Sequence, residues 1–218
     1  MIELTLDDNG AIEIGELSTD STLQELMDAL GGWMADHRAC RRCTRCCTDV
    51  IPLNGIEIKR LQHSLGGAST VEQLPHLLLP APPDLRRRRD GIRELQQTFE
   101  MPITTATAFY EHNNADPVCI AKVDTGDCWF IRDGLCARYD TRPLVCRLYH
   151  CRLGEKLSAL NEAIIGQGVW HSYCVLGWIE EKEIAHNPFV TASSYHQIRL
   201  DAFDCVFGDL VGQASYLL

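Results

Sequence analysis

The sequence predicts a helix-rich α+β fold, and three observations carry that prediction. Apolar residues recur at helical spacing over most of the chain, alternation is concentrated in the first fifteen residues, and the cysteines sit in turn-rich stretches between helices. Ile2, Leu4 and Leu6 share one face, Asp8-Asn9-Gly10 follows, and Ile12 and Ile14 resume the pattern, which spells a short N-terminal hairpin closed by an Asn-Gly turn. Thr22 with Glu25 three residues on is a capping-box signature. Leu23, Leu26, Met27, Leu30, Trp33 and Met34 then recur as one helical face running toward the first cysteines.

Beyond those cysteines, Asn54 with Glu57 opens a helix that carries Ile58, Leu61 and Leu65 and closes at Gly66-Gly67. Residues 66–83 hold four prolines and form a loop-rich connection. Asp84 then caps a helix with Leu85, Ile92, Leu95 and Phe99 on one face. Arg86 to Arg89 fall inside that helix and read as a solvated face. Val118, Ile120 and Val123, then Trp129, Phe130 and Ile131, suggest two short strands with turns at Gly126 and Arg132-Asp133-Gly134. From Glu155 onward two or three packed amphipathic helices are expected, with a break at Asn187-Pro188.

The 218 residues are 45% hydrophobic and 23% charged, which excludes fibrous and disordered classes and fits one domain. Within it we delimit a cysteine-cluster core at 38–65 and 117–152, an inserted helical and loop subdomain at 66–116, and a C-terminal helical scaffold at 153–218. Twenty basic against thirty acidic residues leave a formal charge of −10, the wrong sign for a nucleic-acid or anionic-membrane binder. No apolar run approaches the ~20 residues of a membrane span, and the N-terminus lacks a secretory pattern, so a cytoplasmic protein is expected.

Eleven cysteines are an odd number, and in a reducing compartment clustered thiols hold metal more often than they pair. Cys40, Cys43, Cys46 and Cys47 lie within eight residues, and the two-residue spacing lets a loop turn its sulfurs toward one ion. Three of them follow the ferredoxin-type C-x2-C-x2-C run, but the fourth cysteine and proline that complete that run are missing, so further ligands must come from elsewhere. Cys128, Cys136, Cys146 and Cys151 are the candidates, at separations of eight, ten and five residues. The two groups are therefore expected to meet in space.

Adjacent side chains such as Cys46 and Cys47 rarely serve one ion without strain. If both are ligands, Cys40, Cys43 and Cys46 with one remote thiol hold one centre, and Cys47 with the other three holds a second. The alternatives are a single site with surplus cysteines packed as small hydrophobes, or a redox or catalytic thiol set. Nine of the twenty basic residues (Arg38, Arg41, Arg42, Arg45, Arg132, Arg138, Arg142, Arg147 and Arg152) lie in or beside the cysteine groups, where guanidinium groups offset thiolate charge. Cys119, Cys174 and Cys205 sit in apolar surroundings and are expected in the core, and His150 and His171 are weaker ligand candidates than the cysteines. No paired carboxylates, nucleophile-base set or nucleotide loop stands out, so no catalytic constellation is expected apart from the metal centre.

These residues resemble the CxxCxxCC cysteine-cluster family, a zinc- or iron-chelating domain. The matching positions are Cys40, Cys43, Cys46 and Cys47, then Cys128, Cys136, Tyr139, Arg142-Pro143, Cys146-Arg147 and Cys151. The pattern is distantly similar to the cysteine-cluster region of flagellin lysine N-methylases, which is associated with an iron-sulfur cluster. The resemblance thus favours a 4Fe-4S cluster over Zn2+ as the cofactor, with Arg42, Arg45, Tyr139, Arg142 and Arg147 surrounding the ligands. A zinc-binding structural or metal-handling protein, and an iron-sulfur-dependent modification enzyme, are the alternatives. The stretch from Cys47 to Cys128 is longer than in compact family members, which marks the 66–116 insertion as the place for a protein partner or substrate. Tyr149-His150 replaces the family's aromatic-proline pair before the last cysteine. Proline at 143 stops a helix from continuing and aims Cys146 toward the centre.

Overall fold

A computed structural model describes residues 2–15, 17–18, 20–36, 47, 49–64, 77–149 and 152–203. It has the expected helix-rich α+β architecture, with short antiparallel strand pairs set around packed helices. The N-terminal hairpin pairs β1 (Leu4–Leu6) with β2 (Ile12–Ile14) in the register Leu4 to Ile14 and Leu6 to Ile12. Asp7 closes its turn by accepting from the amides of Asn9 and Ala11 at 2.8 and 2.7 Å, and Gly10 takes φ 75°. Ile12 and Ile14 are buried, whereas Leu6 is exposed where β1 runs out past the core.

The capping box at Thr22 forms as expected: Thr22 N–H donates to Glu25 Oε2 at 2.9 Å and Glu25 N–H to Thr22 Oγ1 at 3.3 Å. It opens α1 (Leu23–Asp36), whose Leu23, Leu26, Met27, Leu30 and Met34 are buried. The second capping box opens α2 (Gly55–Ser64). Residues 65–67, where its closure was expected, lie outside the described residues. Asp84 accepts from the amides of Arg86 and Arg87 and starts α3 (Leu85–Phe99), which ends on Glu100 in the left-handed region. β3 (Leu77–Leu78), which the loop-rich reading of 66–83 missed, pairs antiparallel with β4 (Cys119–Ile120).

The spine of the molecule is α6 (Glu155–Val175), buried on every side from Gly166 to Tyr173. Against it pack α2 and α4 (Ile103–Asn113), and the hairpin is fastened to its entrance by Ile12 N–H to Arg152 O and Gly154 N–H to Ile12 O, at 2.6 and 2.8 Å. The largest core joins the hairpin, α1, α6 and the short α5 (Leu144–Leu148) with Tyr195, Leu200 and Phe203. After α6 the described chain runs mainly through 3-10 turns at Glu181–Ile184 and Tyr195–Gln197, so in place of further helices broken at Asn187-Pro188 the stretch 176–200 is largely irregular, with α-helix resuming only at 201–203. No helix among the described residues is long and apolar enough to cross a membrane.

The arginine run needs a correction. Arg86, Arg87 and Arg89 are exposed, but Arg88 is 5% exposed and donates through Nε to Glu111 Oε1 at 3.1 Å and through Nη2 to Glu183 O at 3.0 Å. Its guanidinium lies over Trp170, whose indole N–H donates to Glu111 O at 2.9 Å. This buried ion pair joins α3, α4 and α6, so the insertion is packed into the scaffold.

Candidate metal centre

The segment after the first cysteine group lies alongside the start of the second. Leu53 N–H donates to Val118 O at 2.8 Å, Ile120 N–H to Ile51 O at 3.0 Å, and Pro52 bridges Cys119 in antiparallel sense. The chain then turns through Gly126, with Val123 N–H on Asp127 O at 2.9 Å, and returns so that Cys128 bridges Lys122. That return brings Cys128 N–H to the carbonyl of Cys47 at 3.0 Å. One cysteine from each group is thereby joined through the backbone.

Both residues belong to a single apolar cluster. Ile51, Leu53, Ile58, Val118, Ile120 and Cys128 are its buried members, and Cys47, Val145 and Cys146 pack against them. Phe130 N–H points at Cys128 Sγ at 3.5 Å, the backbone-amide contact that thiolate ligands accept. Next, β5 (Ile131–Arg132) and β6 (Leu135–Cys136) form a tight hairpin with Asp133 and Gly134 both at positive φ, where the turn had been expected. Cys136 sits half-buried opposite Ile131 of the same cluster.

Tyr139–Thr141 forms one 3-10 turn, which Arg142 ends. Pro143 then serves as N-cap of α5 and so opens a helix as well as stopping one, and Cys146 rides on that helix rather than on a loop. The residue that fixes α5 is Glu57. Its Oε2 accepts from Asn54 N–H at 3.1 Å, completing the α2 capping box, while Oε1 accepts from Leu144 N–H at the start of α5. One carboxyl group therefore caps two helices. Glu57 is 8% exposed, and burial pushes its pKa up to about 7 against the opposing pull of the Leu144 and Asn54 amides, the Tyr195 hydroxyl and the Arg60 charge. Sequence reasoning identified the capping box but not this second role, which depends on a helix 87 residues away.

Of the expected ligands, Cys47, Cys128 and Cys146 are placed in one cluster and Cys136 at its border. Cys40, Cys43, Cys46 and Cys151, with Arg42, Arg45, His150 and Cys205, lie outside the described residues. Among the described residues no three His, Cys, Asp or Glu side chains form a group that could hold a metal. Tyr139 is exposed with Arg142 stacked over its ring at 4.3 Å, and Arg147 Nε donates to Arg142 O at 3.2 Å. Cys119 and Cys174, expected in the core, are only half-buried, and that burial raises both thiol pKa values. His171 is buried and stacked on Phe189, its pKa lowered to about 4 by burial, which places it in the core.

Comparison with family models, with curated proteins and with solved structures gave no match.

Proposed function

We propose that this chain is a metal-binding cysteine-cluster protein holding a 4Fe-4S cluster, with Cys40, Cys43, Cys46, Cys47, Cys128, Cys136, Cys146 and Cys151 as the pool of ligands. The observation that supports the reading is the placement of Cys47, from the first group, against Cys128, from the second: a backbone hydrogen bond joins them within an apolar cluster that also receives Cys146. The donor chemistry fits the group, since soft thiolates select iron-sulfur clusters or zinc, and the Phe130 amide aimed at Cys128 Sγ suits a sulfur carrying negative charge. When bound, the cluster would supply one-electron redox chemistry or a fixed anchor for the loops. The protein's own part is to hold α5 in place through Glu57, to keep water from Cys128 by burial, and to supply positive charge from Arg142 and Arg147. A cytoplasmic setting would keep these thiols reduced.

We place a protein partner at the 66–116 insertion, whose Leu78, Phe99 and Ile103 are large exposed apolar side chains. For the metal, the test is a set of serine variants with iron and zinc counted per chain. Cys128→Ser and Cys146→Ser should lose most of the bound metal, whereas Cys119→Ser and Cys174→Ser should retain it. Retention in the first pair and loss in the second would reverse the assignment.

A further inference from the structure

Beside the cysteines, between α2 and the 120–147 segment, lies a cavity of about 280 Å³. Leu53, Ile120, Phe130 and Pro143 give it apolar walls, and no cysteine is among its described lining residues. Four arginines line it as well: Arg60 and Arg138 are exposed, Arg142 and Arg147 half-buried. Three of these guanidinium groups lie over aromatic rings, Arg60 over Tyr195 at 5.1 Å, Arg138 over Phe130 at 5.7 Å and Arg142 over Tyr139 at 4.3 Å. Stacking of this kind holds the guanidinium plane and leaves its N–H edge directed outward.

Among the described residues, Arg60, Arg138 and Arg142 make no ion pair with a carboxylate, in a chain with thirty acidic residues. The one acid among the described lining residues, Glu57, has both oxygens occupied by the Asn54 and Leu144 amides. Permanent positive charge stacked on aromatic rings around a small apolar chamber suits an anion with an apolar body.

We propose that this cavity binds a small organic oxyanion, a carboxylate or phosphate carried on an apolar body. The guanidinium edges of Arg138 and Arg142 take the head, and Leu53, Ile120 and Phe130 take the body. The site does not depend on the identity of the metal, and its failure is separable from failure of the metal reading.

The test is calorimetric titration of the anaerobically purified, metal-loaded protein with benzoate, phenyl phosphate and inorganic phosphate, with metal counted per chain in every variant. One saturable site per chain is expected for at least one aryl anion, binding at least about tenfold more tightly than inorganic phosphate. The tighter of benzoate and phenyl phosphate identifies the head group. Arg138→Gln should weaken binding about tenfold or more with metal content unchanged, Arg142→Gln should weaken it to a similar degree, and Arg87→Gln on the exposed face of α3 should change neither binding nor metal content. Arg138→Gln alters an exposed side chain and keeps the test open if Arg142→Gln fails to fold. The proposal is overturned by absence of saturable binding up to about 1 mM, by equal losses in Arg87→Gln, or by variants that lose metal yet bind the anions normally. The last outcome would assign the arginines to the thiolates instead.

Discussion

Glu57 and His171 are both buried, and they pull stability in opposite directions with pH. The folded pKa of Glu57, about 7, lies above its ordinary 4.5, so the native state keeps a proton that the unfolded chain releases. Its contribution is fully present below pH 4.5 and is lost as pH rises toward 7. His171, at about 4 against an ordinary 6.5, is kept neutral by burial, and its contribution is lost as pH falls from 6.5. Between pH 4.5 and 6.5 the two slopes oppose each other. Thermal midpoints measured for wild type, Glu57→Gln and His171→Gln across pH 4.5–7 should separate them. Relative to wild type, Glu57→Gln should gain stability as pH rises, and His171→Gln should gain as pH falls. A difference that stays flat with pH for both variants would remove these protonation states from the account. The buried Arg88 makes a second claim at this scale. Arg88→Met leaves Glu111 without its guanidinium and should cost about 3–5 kcal/mol in denaturant unfolding, against under ~0.5 kcal/mol for Arg87→Met. That difference was partly legible, because Arg88 stands four residues before Ile92 on the face that also carries Leu95 and Phe99. Its charge concealed its position, since nothing local announces that Glu111 will meet it.

At the scale of elements, local signals were sufficient where the chain satisfies its own backbone. The capping boxes at Thr22 and Asn54, the Asp84 cap and the turns at Gly10 and Gly134 each place donor and acceptor within a few residues, and each forms. Elements whose reason is tertiary were not legible. The helix α4 carries three threonines and little amphipathic pattern, and it forms because Ala106 and Glu111 are buried, the latter paired with α3 and α6. The two-residue strands β3 and β4 exist through tertiary pairing, β3 with β4 and β4 also with the 51–53 segment. Close approach of α2 to α6 also depends on a feature outside the apolar pattern. A Cβ at Gly55 would lie 2.5 Å from Val175 Cγ2 and 2.7 Å from His171 Nδ1. Gly55→Ala should therefore destabilise the protein by about 1–3 kcal/mol despite its better helix propensity, as read from the denaturation midpoint. A stabilised variant would mean that the two helices are free to separate at little cost.

For the whole molecule, the main core of hairpin, α1, α5 and α6 and the cluster built on Trp170 and Tyr173 contain none of the expected ligands among their buried residues. The described parts of the two cysteine groups gather instead around the separate cluster of Ile51, Val118 and Cys128. That division predicts that Cys43→Ser abolishes metal loading while most of the helical circular dichroism persists. Global loss of the helical signal would make the metal a staple of the entire fold. The approach of Cys47 to Cys128 agrees with the expectation drawn from cysteine spacing, while Cys40, Cys43, Cys46 and Cys151 lie outside the described residues. The route was not legible, because the 80 residues between Cys47 and Cys128 return through backbone ladders that no short motif announces. The arginine-lined cavity was equally hidden, since Arg60 and Arg138 are brought together only by the fold.

The central claim is that these cysteines hold an iron-sulfur cluster. It is tested most directly by anaerobic purification followed by an absorption spectrum, with iron, zinc and acid-labile sulfide counted per chain. A broad charge-transfer band near ~400 nm with about four irons and four sulfides is the predicted result. A colourless protein carrying one or two zinc ions and no sulfide would contradict it.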